Sequence, residues 1–478
     1  MLNKLKSYEN NNLQYIATIL IFALCLIFSH IQNITDYPHD ASYYWTIADS
    51  VMSSGTFNIL DYPETFRGYF FPLLVFLFKT LFHGVWGWRV LIAAMVSITF
   101  GLLLPQIEGH RVCNVDKLLR SFIVALVFLY VWGNFIQFPL SDFPAIFFLL
   151  CSVVLLKQII NYELGISQLF ALGVAAGAFL YASYSTRAVF LYAAAIVIFV
   201  FILKVRNRFS KLLVGIIALT IGVSIVALPQ CLINHKYLGE YSPKVFTEQW
   251  SGYSHSLQAQ QIYWGLTFPR YETFIGNPKI YPSPTVFFED IIGVEILKRE
   301  GLNIGRFSLG TFALLFVKYP LDMVGLYTRH LISVLTPAFN EVYIINIHND
   351  KTLLILLSLS IWTIAFINFF SKYGDKNTKI TDYGFKLAIV TPALLQLVGS
   401  AELRFFLPVY ILIYQHVFFE TNVKDLFKYI KKRWLQTLLL TTIIYLLWIS
   451  LFGMIIADNK EKTLLINDNP IVSKEIVK

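Results

Sequence analysis

Charge is scarce in this chain of 478 residues. Only 14% are Asp, Glu, Lys or Arg, while 56% are hydrophobic and mean hydropathy is +0.62. Water-soluble domains carry roughly 25% charged residues, so a soluble globule could not hide this much apolar surface. Cysteine is sparse too. Cys25, Cys113, Cys151 and Cys231 lie far apart with no CxxC spacing, and three fall in or beside apolar runs. That excludes a disulfide framework and a paired-cysteine zinc site. HExxH and Walker A motifs are missing, as are internal repeats and low-complexity segments. The net charge of +9 is no nucleic-acid signal, because Lys and Arg sit in short segments between apolar runs.

What the chain has in quantity is long apolar runs: 14–31, 87–105, 121–137, 142–158, 168–183, 188–203, 211–229, 352–371, 384–400, 405–420 and 435–456. A helix needs roughly 20 apolar residues to cross the hydrocarbon, and in lipid it satisfies its own backbone polar groups. The expected fold is therefore all-α and polytopic, with about eleven transmembrane helices. The N-terminus, with Lys4 and Lys6 before an apolar run, has the layout of a signal peptide but no small-residue cleavage site. An uncleaved first span is expected.

The run 68–83 is short, begins beside Pro72 and contains Lys79. If it spans, the basic clusters at 111–120, 204–211 and 372–379 move outside, against the loop-charge bias that sets orientation. It is better read as a surface or re-entrant helix on the outer face. The expected layout then has a cytoplasmic N-terminus in a bacterial inner (plasma) membrane. Residues 1–229 form an N-terminal transmembrane module with a first outer loop at 32–86. Residues 230–350 form a large outer (periplasmic) region, containing an interfacial helix over 309–335. Residues 351–456 are C-terminal transmembrane helices, and 457–478 an outer tail. Richness in Asn, Lys and Ile points to an AT-rich bacterial source. Long ordered loops usually carry function, so the outer face is the place for chemistry.

Several polar residues collect there. Asp36 and Asp40 follow the first span, and Asp40 and Tyr44 stand one turn apart at a helix start; Asp40 is a cap or a general base. Asp142, in FPLSDFPAIF, lies at the lip of a span, where an acid must cap, pair or react. Arg67, Arg187, Arg329 with His330, and Arg404 beside Glu402 bring cations to the same face. Lone arginines at span ends often snorkel; a cluster at headgroup depth suits bidentate contact with a lipid phosphate. Glu402 and Arg404 have a structural pair as their alternative. In the large loop, His235, Glu248, His255 and Arg270 lie among Trp250, Tyr253, Tyr263 and Trp264, a mixture suited either to sugar rings or to an interfacial aromatic belt.

The order of these features resembles the GT-C class of membrane glycosyltransferases, in the branch of protein O-mannosyltransferases and the lipid A aminoarabinose transferase. HDASYYWTIADSVMSSG, FRGYFFPLLVFLFKTLFHGVWGWRVL, FPLSDFPAIFFL and YSTRAVFLYAAA carry the likeness; ALPQCLINHKYLGEYSP, YPLDMVGLYTRH and ELRFFLPVY carry it more weakly. The resemblance implies a polyprenyl-phosphate sugar donor. It makes Asp40 the catalytic base and Asp142 a second acid, and places Arg187 and Arg404 near the donor phosphate. Asp36, Tyr44, Arg67, His255, Arg329, His330 and Glu402 are further expected substrate contacts. Two departures matter. Phe71, not Lys, precedes Pro72, so Arg67 is the expected substitute. Ala41 follows Asp40 where many members have a second acid, so a divalent metal is left open but unsupported and no cofactor is assigned.

The expected activity is inverting transfer of a sugar to a hydroxyl on a glycan, lipid or protein acceptor. The expected partners are the lipid-linked sugar, that acceptor and membrane lipids, with no nucleic acid. The competing classes are a transporter or flippase of lipid-linked glycans and a glycan polymerase. A flippase should line polar residues through the membrane, whereas here they gather at one lip. A polymerase has no need of the acidic motif after the first span.

Overall fold

The computed structural model describes residues 2–107, 114–247, 257–268, 270–274, 285–288, 290–335, 341–344, 352–372, 380–399, 402–439, 441–443 and 445–446. His255, Glu248, Trp250, Tyr253, Cys113 and the tail 457–478 lie outside these residues. Among the described residues six helices are long and apolar enough to cross a membrane, and the fold is that of a helical polytopic membrane protein. The chain divides into two compact units. One comprises Met1–Gln249, Asp375–Pro392 and Pro408–Thr421. The other comprises Trp250–Gly374, Ala393–Leu407 and Asn422–Lys478.

The first unit begins with α1 (Leu2–Gln32), α2 (His39–Ile47), α3 (Phe70–Leu81) and α4 (Val85–Ile98). A π-turn over Thr99–Leu103 continues α4 into α5 (Leu104–Ile107). α6 (Asn114–Gln137), α7 (Asp142–Asn161), α8 (Ile166–Thr186), α9 (Phe190–Val205) and α10 (Phe209–Leu238) follow. α1 packs on α4 and α6, and α8 lies between α7 and α10. Small residues set the α8–α10 contact. A Cβ at Gly177 would meet the Leu219 carbonyl, and one at Gly222 the Val174 carbonyl. Lipid offers helices no hydrophobic drive to associate, so close backbone approach takes its place.

α3 has 12 residues and rises about 18 Å, well short of a hydrocarbon core of about 30 Å. Its Lys79 Nζ lies 2.6 Å from Asp49 Oδ2 and 4.3 Å from the Trp45 ring centroid. A short apolar helix that turns a lysine to an exposed carboxylate fits the surface reading of 68–83. The expected spans at 188–203 and 352–371 are the shorter apolar stretches Phe190–Val205 and Leu353–Phe369.

The second unit contains α11 (Leu257–Thr267), β1 (Arg270–Phe274), β2 (Thr285–Phe288), α12 (Ile291–Arg299), α13 (Leu309–Lys318), α14 (Pro320–Leu335), β3 (Tyr343–Ile344) and α15 (Thr352–Lys372). α16 (Ile380–Gln396) and α17 (Leu407–Gln415) each run from one unit into the other, and α18 (Val423–Lys432) belongs to the second. β1 pairs antiparallel with β2 and parallel with β3, a small sheet in an otherwise helical chain. The single interfacial helix expected over 309–335 is instead two helices, α13 and α14, bent by 111°. Pro320 is the physical reason: it lacks the N–H that would continue α13, and it is well suited to open α14. The Tyr263 ring, read from the sequence as either a sugar platform or part of an interfacial belt, is core here, packed with Phe307 and Met323.

Candidate active site

The first unit brings the acidic motif, the loop before α3, and the α6–α7 and α8–α9 turns to one end of its helices. α6 ends at Gln137, α7 starts at Asp142 and α8 ends at Thr186, so antiparallel passage alone puts Asp142 and Arg187 at the same lip. Of the two readings of Asp40, cap or general base, the cap is not what the structure shows. The cap position belongs to Pro38, which gives no side-chain hydrogen bond, and Asp40 lies in the first turn. Its carboxylate is turned instead to Arg67, with Nη2 donating to Oδ1 at 3.1 Å. Ser141 precedes α7 without capping it, and the Asp142 carboxylate pairs with the Arg187 guanidinium. Both acids lie in helical first turns, where the macrodipole favours negative charge.

The two ion pairs are joined. The Tyr44 hydroxyl donates to Ser141 Oγ at 3.3 Å, linking the helix of Asp40 to the turn of Asp142. The Arg67 guanidinium carbon stands 4.3 Å from the Tyr43 ring centroid and 4.8 Å from that of Tyr44. Gly68 lies against the end of α8, and a Cβ there would overlap the Ser185 carbonyl oxygen. Burial disfavours the Arg67 charge. The Tyr44 phenol and the Asp40 carboxylate outweigh it, raising the guanidinium above its ordinary value. The Tyr43 phenol is also pushed up, by burial first and then by its hydrogen bond to Glu64. Of the two acids, Asp40 is the more open, with 43% of its side chain exposed against 8% for Asp142.

A strap from 240 to 247 closes one side. Phe246 N–H donates to the Thr65 carbonyl at 2.8 Å and Val245 N–H to the Tyr184 hydroxyl at 2.8 Å. Asn234 on α10 holds the strap through the Ser242 and Lys244 carbonyls at 2.6 and 2.8 Å. Gln230, one turn before, donates to Asn234 at 3.0 Å and accepts from Tyr69 N–H at 3.3 Å. Neither amide was singled out from the sequence. Two amides four residues apart in an apolar helix, QCLIN, were the available signal.

Other expected contacts are placed differently. Asp36 is exposed in the loop after α1. His235 stacks on Tyr241 with ring centroids 3.8 Å apart. In the second unit, Arg329 makes a two-pronged pair with Asp290, at 2.6 and 2.9 Å, and Asp290 in turn caps α12 by accepting from Gly293 N–H at 3.1 Å. His330 is fully buried, its Nδ1 3.0 Å from the Leu397 carbonyl. Glu402 and Arg404 pair with each other at 2.7 and 2.9 Å, the structural alternative seen in the sequence. Arg270 is buried and donates to the Ser333 carbonyl at 3.0 Å. Each of these cations has a structural partner inside its own unit. Among the described residues no three His, Cys, Asp or Glu stand together as metal ligands.

Far from this lip, at the start of α6, the first unit holds a second buried ionic cluster. Glu420 accepts from Lys386 at 2.7 Å and lies 2.6 Å from His416 Nδ1. Arg120 donates to the Phe418 and Thr421 carbonyls at 2.9 and 3.0 Å, next to a π-turn over His416–Glu420.

No family model matches the chain, and no curated protein is similar enough to match it. Among solved structures it is similar to one described as ArnT from Cupriavidus metallidurans bound to undecaprenyl phosphate. The TM-score is 0.38 and the identity 12%, over 84% of this chain and 77% of that one. A likeness of that degree leaves the activity to be read from the chain's own residues.

Proposed function

We propose that this chain is an inverting membrane glycosyltransferase of GT-C type, moving a sugar from a polyprenyl-phosphate donor to an acceptor hydroxyl at the outer face of a bacterial inner membrane. The observation that carries the reading is the pair of carboxylate–guanidinium contacts, Asp40–Arg67 and Asp142–Arg187, joined through Tyr44 and Ser141. Two acids and two guanidiniums at the ends of apolar helices bring a base and phosphate-binding cations to the depth of a lipid headgroup.

Asp40, the more exposed acid, takes the proton of the acceptor hydroxyl. The acceptor oxygen then bonds to the anomeric carbon from the face opposite the phosphate, and the bond from that carbon to the phosphate oxygen breaks. The bonding pair leaves with the lipid phosphate, whose growing negative charge is met by Arg187. Asp142 is a positioning residue, holding Arg187 at the end of α8. Arg67, stacked on Tyr43 and Tyr44, orients Asp40. The donor brings its own activated bond, so no nucleotide is needed.

The test is a mass shift on an acceptor incubated with the purified protein in nanodiscs and undecaprenyl-phosphate-linked sugars. Asp40→Asn should lower the rate of the shift by about 10²–10⁴ while insertion and folding are retained. Transfer by that variant at near the wild-type rate would remove Asp40 from the role of base. Transport of the lipid across the bilayer without any acceptor product would favour the flippase class instead.

A further inference from the structure

The end of α8 reads Ser183-Tyr184-Ser185-Thr186 before Arg187, and its hydroxyls are used unequally. Ser183 Oγ donates to the Ala145 carbonyl at 2.7 Å, and the Tyr184 hydroxyl accepts from Val245 N–H. Ser185 and Thr186 are 1% and 5% exposed, yet among the described residues neither hydroxyl has a hydrogen-bond partner. A helical serine or threonine ordinarily bonds back to the carbonyl four residues earlier. Thr18, Thr99 and Thr363 do so in this protein, at 2.7–2.8 Å. Leaving two adjacent buried hydroxyls unbonded costs about 1–3 kcal/mol each unless something else meets them. Gly68 lies against Ser185, and its chain neighbour Arg67 has a buried Nη1 that also lacks a partner among the described residues.

We infer that Ser185 and Thr186 are sugar-reading residues: their hydroxyls bond the ring hydroxyls of the donor's glycosyl group. This rests on the donor class proposed above. The choice of sugar over phosphate follows from position. Both hydroxyls lie in the last turn of α8, where the helix presents partial negative charge that repels an anion and tolerates a neutral hydroxyl. A serine or threonine hydroxyl both donates and accepts, which matches a sugar hydroxyl doing the same. The lipid phosphate falls to the guanidiniums.

The experiment measures binding to the full-length protein in nanodiscs. The probes are undecaprenyl phosphate and a panel of undecaprenyl-phosphate-linked hexoses differing in configuration at C2, C3 and C4. The variants are Ser185→Ala and Thr186→Val, with Ser183→Ala as a structural control. The expected result is that each variant weakens the preferred glycosylated lipid about 3- to 10-fold and leaves bare undecaprenyl phosphate unchanged, flattening the ranking of the panel. Ser183→Ala should lower thermal stability and keep the ranking. Equal losses for bare and glycosylated lipid would overturn the inference by placing the hydroxyls on the phosphate. An unaltered ranking in both variants would overturn it as well, while the donor reading stands as long as the wild type binds the lipids. Failure of the wild type to bind any of these lipids would sink the donor reading and this inference together.

Discussion

The Tyr44 hydroxyl donates to Ser141 Oγ at 3.3 Å, across 97 residues of sequence. That bond ties the helix of Asp40 directly to the residue before α7, which starts at Asp142. Tyr44→Phe keeps the ring against Phe71, 5.0 Å between centroids, and removes only the tie. We expect a stability loss of about 1 kcal/mol and a fall in sugar transfer of roughly tenfold, since small misplacements of a base are costly. Thermal unfolding and initial rates on one preparation would check both.

The two acids should fail differently. Asp40→Asn should lower transfer by about 10²–10⁴ with little change in stability, as expected for loss of a general base. Asp142→Asn leaves Arg187 without its buried counter-charge and should cost about 3 kcal/mol as well as activity. Removing both partners, Asp142→Leu with Arg187→Met, should regain stability but not transfer. Equal instability of the Asp40 and Asp142 variants would contradict this division.

Gly68→Ala tests the approach of the Arg67 loop to α8. The added methyl meets backbone, the Ser185 carbonyl, which cannot swing away. A loss of about 1–3 kcal/mol with impaired transfer is expected. Gly165→Ala is the matched control, because a Cβ there meets nothing within 4 Å.

Alkaline titration should weaken the fold near the site. Tyr43 and Tyr62 are both held above the ordinary tyrosine value, burial being the first cause in each. A phenol with a raised folded value supports the native state below the unfolded value of about 10 and ceases to do so as pH climbs past it. Stability should therefore be level through pH 9 and decline above about pH 10. Tyr43→Phe should make that decline shallower, measured by thermal unfolding across pH 8–11.

The buried cluster at the other end of the first unit gives a prediction independent of catalysis. Glu420→Gln leaves Lys386 poorly compensated and should cost about 3–5 kcal/mol. Glu420→Leu with Lys386→Met should recover most of it. A double variant as unstable as the single one would show that the cluster is more than a structural pair.

The helices were legible in the sequence because lipid leaves few options. A run of about 20 apolar residues must satisfy its own backbone, and a helix does so. The shortness of the run 68–83 was legible as well, and α3 has only 12 residues. The bend at Pro320 is also written in the chain, although the apolar pattern across 309–335 reads as one helix. The partners of the arginines were not legible. Arg67 and Asp40 stand 27 residues apart, Arg187 and Asp142 stand 45 apart, and no periodicity connects them. Arg329 was an equal candidate by residue type, and only the fold turns it to Asp290.

The sequence by itself determined a helical membrane protein whose acids and arginines collect at span ends, because hydrocarbon excludes unpaired charge from span interiors. Tertiary structure decided which acid meets which arginine. It set Asp40 beside Arg67 and left it the more exposed acid, and it buried Asp142 against Arg187. Among the described residues it also left the Ser185 and Thr186 hydroxyls without partners. The closeness of the Arg67 loop to α8, which Gly68 permits, is among the things no local pattern records.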